Sequence, residues 1–229
     1  MPARKTQDQD HVRKIAVNKR RPRRSALTRK QRAEVMALAK KVDDRQVEKK
    51  YYDGNGTVHV LNGGTLTDLA PLTQGDGVSN RDGDELTPQF FQMRASLQAP
   101  TVYNGGTSAS QGILYRIMII QWHNNTAADT PSLAELLENA TNPFSFYNRD
   151  YTKSYRVLYE NRGSLVNSAG NDDSIQHIDF TIPGKQMRKM TFNDSATTGE
   201  DHLYLVCLSS EVSVGPRLVH TYRLGFSDS

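Results

Sequence analysis

From Tyr51 onward the chain breaks into short apolar or alternating runs separated by clusters of Gly, Asn, Asp and Pro, the punctuation of antiparallel strands and turns. Eight runs qualify as strands: residues 57–61, 87–98, 113–122, 154–160, 164–167, 175–182, 202–209 and 217–226. Alternation is clearest in Tyr155, Val157 and Tyr159 and in Ile178, Phe180 and Ile182, as in a sheet with one buried face. Between the third and fourth runs, residues 132–138 predict a short helix capped by Ser132, with Glu135 at the capping-box position. Eight antiparallel strands and one short helix favour an all-β jelly-roll sandwich over an immunoglobulin-like one.

The first fifty residues have a different character. They hold 17 Lys and Arg against six acids, a net of +11, whereas the other 179 residues hold 12 against 19, a net of −7. The overall +4 therefore conceals a basic arm attached to an acidic body. No aromatic residue occurs before Tyr51, so the arm lacks the anchors of an independent core. Its first part, residues 1–27, contains Lys19-Arg20-Arg21-Pro22-Arg23-Arg24, where like charges repel and proline disfavours helix; a disordered basic arm is expected. Residues 28–50 predict a basic amphipathic helix opening on the capping box Thr28-Arg29-Lys30-Gln31. Val35, Leu38 and Val42 form a narrow apolar stripe suited to docking against a neighbour. Residues 51–229 make up the β domain.

Several classes of function are disfavoured. No apolar stretch approaches the roughly 20 residues of a membrane span, and Met1-Pro2-Ala3-Arg4-Lys5 leads into no apolar segment of a secretory signal. The sequons at Asn55, Asn124, Asn139 and Asn193 then read as loop residues. A single cysteine, Cys207, lies in an apolar run and reads as a buried thiol. The acidic stretch Asp76, Asp82, Asp84 and Glu85 could attract a hard cation but lacks EF-hand spacing, and a solvated turn is the better reading. His177 and Asp179 share a strand face without a nucleophile motif nearby, and His59, His123, His202 and His220 lack metal-ligand spacing. The pairs Gly63-Gly64 and Gly105-Gly106 read as turns. No catalytic residue, metal site or cofactor is expected.

Several segments resemble the coat proteins of the satellite tobacco necrosis virus-like group, which coats of some small circular single-stranded DNA viruses also resemble. They are the basic arm running into Arg29-Lys30-Gln31-Arg32-Ala33, then Gln74-Gly75-Asp76 and Asn80-Arg81-Asp82-Gly83-Asp84. The strand from Tyr115 to Trp122 follows, with Thr130-Pro131-Ser132-Leu133-Ala134-Glu135-Leu136-Leu137 after it. Phe146-Tyr147-Asn148, Lys153-Ser154-Tyr155-Arg156-Val157-Leu158-Tyr159-Glu160 and Ile182-Pro183-Gly184 complete the series, whose order and spacing are more specific than any member. A departure is Trp122-His123, where relatives often carry Arg-Asp. The resemblance implies a capsid protein: a jelly roll assembled as a homo-oligomer of 60 copies in a T=1 icosahedral shell, with the arm inside against RNA or DNA. It also implies a virion location after assembly in the host cell, with the nucleus one candidate compartment. Members of the group can bind calcium at subunit contacts, but those ligands find no residue-by-residue match here.

Genome packaging needs affinity without sequence preference, which Lys and Arg provide by releasing counterions condensed on phosphates. The residues expected to do this are Arg13, Lys14, Lys19, Arg20, Arg21, Arg23, Arg24, Arg29, Lys30 and Arg32. The same block would also serve as a nuclear-import signal. The long polar loops at residues 73–85 and 100–111 are natural subunit contacts or solvent-exposed projections. Two other readings compete: a nuclear nucleic-acid-binding β-sandwich that forms no shell, and a lectin-type jelly roll, which leaves the basic arm unexplained.

Overall fold

The computed structural model describes residues 28–46, 49–100, 112–123, 130–166, 175–194, 196–197 and 199–228, with side chains of the first segment described to residue 39. The chain divides into two compact units, residues 1–46 and 47–229. The first contains α1 (Arg29–Gln46). The second contains β1 (Lys49–His59), β2 (Thr65–Asp68), β3 (Glu85–Gln98), β4 (Ile113–Trp122), α2 (Leu133–Leu136), β5 (Tyr155–Leu165), β6 (Ile175–Pro183), β7 (Met190–Thr191), β8 (His202–Ser209) and β9 (Arg217–Asp228).

The strands form two antiparallel sheets packed as a sandwich. Sheet I has the order β1-β9-β3-β6, with β7 pairing the start of β3, and sheet II has the order β2-β8-β4-β5. Setting aside the two-residue β7, the pairing is nested: first strand with last, second with next to last, third with sixth, fourth with fifth. A long hairpin rolled over on itself gives this pattern, which is the jelly roll expected from the sequence.

Several element boundaries differ from expectation. The helix stops at Gln46 rather than at Lys50, and Lys49 and Lys50 already belong to β1, so the β domain starts before residue 51. β1 was expected only from residue 57 because Asp53-Gly54-Asn55-Gly56 has the composition of a turn, yet these residues are strand interior and Asn55 is no loop residue. The two glycines serve by having no side chain: a Cβ on Gly54 would lie 2.2 Å from the Tyr222 ring, and one on Gly56 2.9 Å from His220. The two runs expected at 154–160 and 164–167 are joined in one strand, β5, which ends at Leu165, and β2 and β7 are additional.

The central strands of sheet II, β4 and β8, are buried on both faces, which explains their continuous apolar runs. Ile117 and Ile119 of β4, with Leu203, Leu205 and Cys207 of β8, face the core between the sheets. Their alternates Met118, Ile120 and Trp122, and Tyr204, Val206 and Leu208, face a second cluster capped by Leu133, Leu136 and Leu137 of the α2 segment. The capping box of α2 forms as expected, with Glu135 accepting from both the backbone N–H and the hydroxyl of Ser132. A β-bulge opposite Ile119 and Ile120 makes Leu158 an extra residue in β5. It sends Tyr155 and Val157 to the outer cluster and Tyr159 to the inner one, so these three do not share a face as expected. Tyr159 instead stacks on Phe180 of the opposite sheet, ring centroids 3.7 Å apart.

A buried cation fixes the connection from β4 to β5. Arg116, 1 % exposed, places Nε 2.9 Å from Glu160 Oε1, a charge contact in which the N–H is poorly aligned for a hydrogen bond. Its Nη1 donates to the Ser145 carbonyl at 2.6 Å, and its guanidinium lies 4.6 Å from the Tyr147 ring centroid. Burial and the bond to Glu160 push the Tyr147 phenol up to about 12.

Candidate nucleic-acid interface

α1 begins as its sequence dictates. Thr28 and Gln31 close a reciprocal box, the Thr28 N–H donating to Gln31 Oε1 at 3.0 Å and the Gln31 N–H to Thr28 Oγ1 at 3.3 Å. Arg29, Lys30 and Arg32 are exposed on its first turns, where a phosphate can reach them. Val35, Met36 and Leu38 are 51 %, 72 % and 61 % exposed, while Val42 lies outside the described side chains. Arg13, Lys14, Lys19, Arg20, Arg21, Arg23 and Arg24 lie outside the described residues, as does nearly all of the loop at 100–111.

A feature the sequence did not disclose is the outward face of sheet I. Strand register assembles it in rows: Tyr51 and Phe90 flanking Gly225; Asp53, Arg223 and Gln92; Asn55, Thr221 and Arg94. Asp179 and His177 join from β6, opposite Arg94 and Ser96, and Arg217 pairs His59 at the far end. A Cβ on Gly225 would lie 2.4 Å from the Phe90 ring, so the glycine lets that ring lie flat and approach Tyr51, at 6.1 Å between centroids. Arg223 donates twice to Asp53, at 2.6 and 2.7 Å, and sits 5.7 Å from the Tyr51 ring centroid. These bonds hold the Asp53 carboxyl below its usual range and raise the Arg223 guanidinium. Arg94 pairs with Asp179 at 3.4 Å. Between these rows lies a shallow groove of about 480 Å³. The signal in the sequence was the polar alternation Lys49, Tyr51, Asp53, Asn55, Thr57, His59, masked by the interleaved glycines.

The four acids of the loop are exposed, as a solvated turn implies, and three of them also pair with cations. Lys50, 2 % exposed, places Nζ 2.6 Å from Asp82 and 3.1 Å from Asp228. Burial by itself would lower its pKa, but the two carboxylates outweigh that and the net shift is upward. Arg81, fully buried, donates to the carbonyls of Gly83, Asp194 and Ala196 and to Asp84, with its guanidinium 4.3 Å from the Phe192 ring centroid. Glu85 pairs with Lys189 at 3.2 Å, and Asp76 is exposed.

The remaining chemistry-bearing residues are dispersed. His177 and Asp179 do share an exposed face. His123 contacts Asp201 and is nearly buried; His202 is buried 3.6 Å from Asp68; His220 is buried and burial lowers its pKa; His59 is exposed. Cys207 is buried, as expected, and burial pushes its thiol far up. Among the described residues no group of three or more His, Cys, Asp or Glu could hold a metal ion, and no helix is long and apolar enough to cross a membrane.

No protein-family model matches the chain, and no curated protein matches it. Among solved structures, those similar to it include the Gx strain of infectious bursal disease virus, at 10 % identity and a TM-score of 0.25, covering 79 % of this chain and 42 % of that one. The VP2 subviral particle of the same virus gives 8 % identity and a TM-score of 0.21 over 80 % and 42 %. Its derived T=1 particles give 10 % and 0.23 over 79 % and 40 %. The chain thus spans about two fifths of the length of these viral particle proteins.

Proposed function

We propose that this chain is the coat protein of a small icosahedral virus of the satellite tobacco necrosis virus-like kind. Sixty copies assemble into a T=1 shell, and the basic arm packages a single-stranded genome. The observation that carries the reading is the union of an arm, residues 1–46, holding 15 Lys and Arg against five acids, a net of +10, with a jelly roll, residues 47–229, holding 14 against 20, a net of −6. The described residues of the body pack two hydrophobic cores of their own, which supports a reading in which the arm's cations serve a polyanion. Sixty such arms carry about 600 positive charges, enough to balance a strand on the order of a thousand nucleotides within a factor of two. Arg29, Lys30 and Arg32 at the start of α1 extend the phosphate contacts of Arg13, Lys14, Lys19, Arg20, Arg21, Arg23 and Arg24. Calcium has no part in this reading, because Asp82, Asp84 and Glu85 already have Lys50, Arg81 and Lys189 as counter-charges.

Electron microscopy of the full-length protein, alone and with single-stranded DNA or RNA over a range of salt, tests the proposal. Uniform closed spheres are the expected result, with nuclease sensitivity of the enclosed strand identifying RNA or DNA. Monomers or small oligomers that bind the strand without closing a shell would replace it with a nuclear nucleic-acid-binding module.

A further inference from the structure

In sheet II the α2 segment covers the outer side of the central strands β4 and β8, whereas in sheet I the outward residues of β1, β9, β3 and β6 are exposed or half-buried, apart from Gly225 and Ser227. This open face departs from the charge of the body that bears it. Lys49, Arg94, Arg217 and Arg223 stand against Asp53, Glu85 and Asp179, a net of +1 on a domain whose net charge is negative. Arg94 is held loosely by one contact of 3.4 Å and Arg223 by a bidentate pair, and both pairs lie in water. In the Arg94–Asp179 pair the side chains are 70 % and 61 % exposed, and in the Arg223–Asp53 pair 53 % and 59 %. Such pairs contribute little and yield readily to a competing anion. Arg223 spends Nε and Nη2 on Asp53, and its Nη1 is left for another acceptor.

Beside these cations lie two rings, Tyr51 and Phe90, brought together over Gly225, with Arg223 at the Tyr51 ring. Between the two ion pairs run amide and hydroxyl groups from Asn55, Gln92 and Thr221 along the groove. Tyr51 is exposed and Phe90 half-buried on this face; rings so placed offer stacking partners to unpaired bases, and flanking arginines offer contacts to the phosphates between them. An acidic protein segment would use the cations but would leave the ring pair without a role.

We propose that the outward face of sheet I is a second contact surface for single-stranded nucleic acid, separate from the basic arm, with Arg94, Arg217 and Arg223 meeting phosphates and Tyr51 and Phe90 stacking bases. The inference rests on the reading of the chain as a genome-binding coat protein and assigns it a site beyond the arm.

The test is fluorescence anisotropy of a labelled oligo-dT strand with three forms of the full-length protein across salt concentrations: wild type, R94E/R217E/R223E and D53N/D179N. Each phosphate contact to a single strand contributes about 0.7 to the slope of log K against log salt, so the triple variant loses about 2 from that slope and binds at least about tenfold more weakly. D53N/D179N releases two arginines and binds several-fold more tightly, a gain that a misfolded protein would not show. Unchanged slope and affinity in both variants, with the wild type binding well, would overturn the second surface and leave the arm as the binding element. A wild type that binds no strand at all would overturn the genome-binding reading, and the second surface with it.

Discussion

Two arginines show how environment sets the value of the same side chain. Arg116 is buried beneath the connection from β4 to β5 and holds Glu160 and the Ser145 carbonyl in place. Replacing it with Ala leaves Glu160, three quarters buried, without its cation, and leaves a backbone acceptor unpaired. Loss of one partner of such a pair costs about 3 kcal/mol, read as a lower midpoint in a urea titration. Arg223 makes the better hydrogen bonds, yet it and Asp53 are in water, so Arg223→Ala shifts that midpoint little and less still in high salt. The sequence marks the two residues identically; only depth separates them.

At the scale of the element, β1 is the strand whose composition and conformation disagree most. Gly54 and Gly56 weaken any local preference for a strand, and the register with β9 imposes it, because the Tyr222 and His220 rings occupy the space their side chains would need. Gly54→Val would raise strand propensity, yet it forces a branched side chain into the Tyr222 ring. The expected outcome is a destabilisation of about 1–3 kcal/mol by overpacking, measured by thermal or denaturant unfolding. A neutral or stabilising result would show that β1 can shift away from β9. Elements with a local rule were legible in advance. The Thr28 and Ser132 capping boxes formed where expected, and β4, β6, β8 and β9 fell within a residue or two of their expected ends.

For the whole molecule, the separation of charge between arm and body governs behaviour. Substituting Gln for Arg20, Arg21, Arg23 and Arg24 removes four phosphate contacts and should flatten the log K against log salt dependence for a single strand by about 3. The body would unfold as before, since both of its cores are built, among the described residues, from side chains of residues 52–226. An unchanged salt dependence would show that the packaged strand is held elsewhere.

The sequence by itself determined the fold class, the division of charge along the chain and the buried state of Cys207, because strand alternation, charge runs and apolar clustering are local signals. Three things were decided only by the tertiary structure. The two-sided burial of β4 and β8 depends on where the α2 segment lands. The facing of Tyr159 depends on a bulge paired across strands, and the basic, aromatic face of sheet I depends on register between strands up to about 170 residues apart. Each arises from contacts between distant segments, which no window along the chain contains.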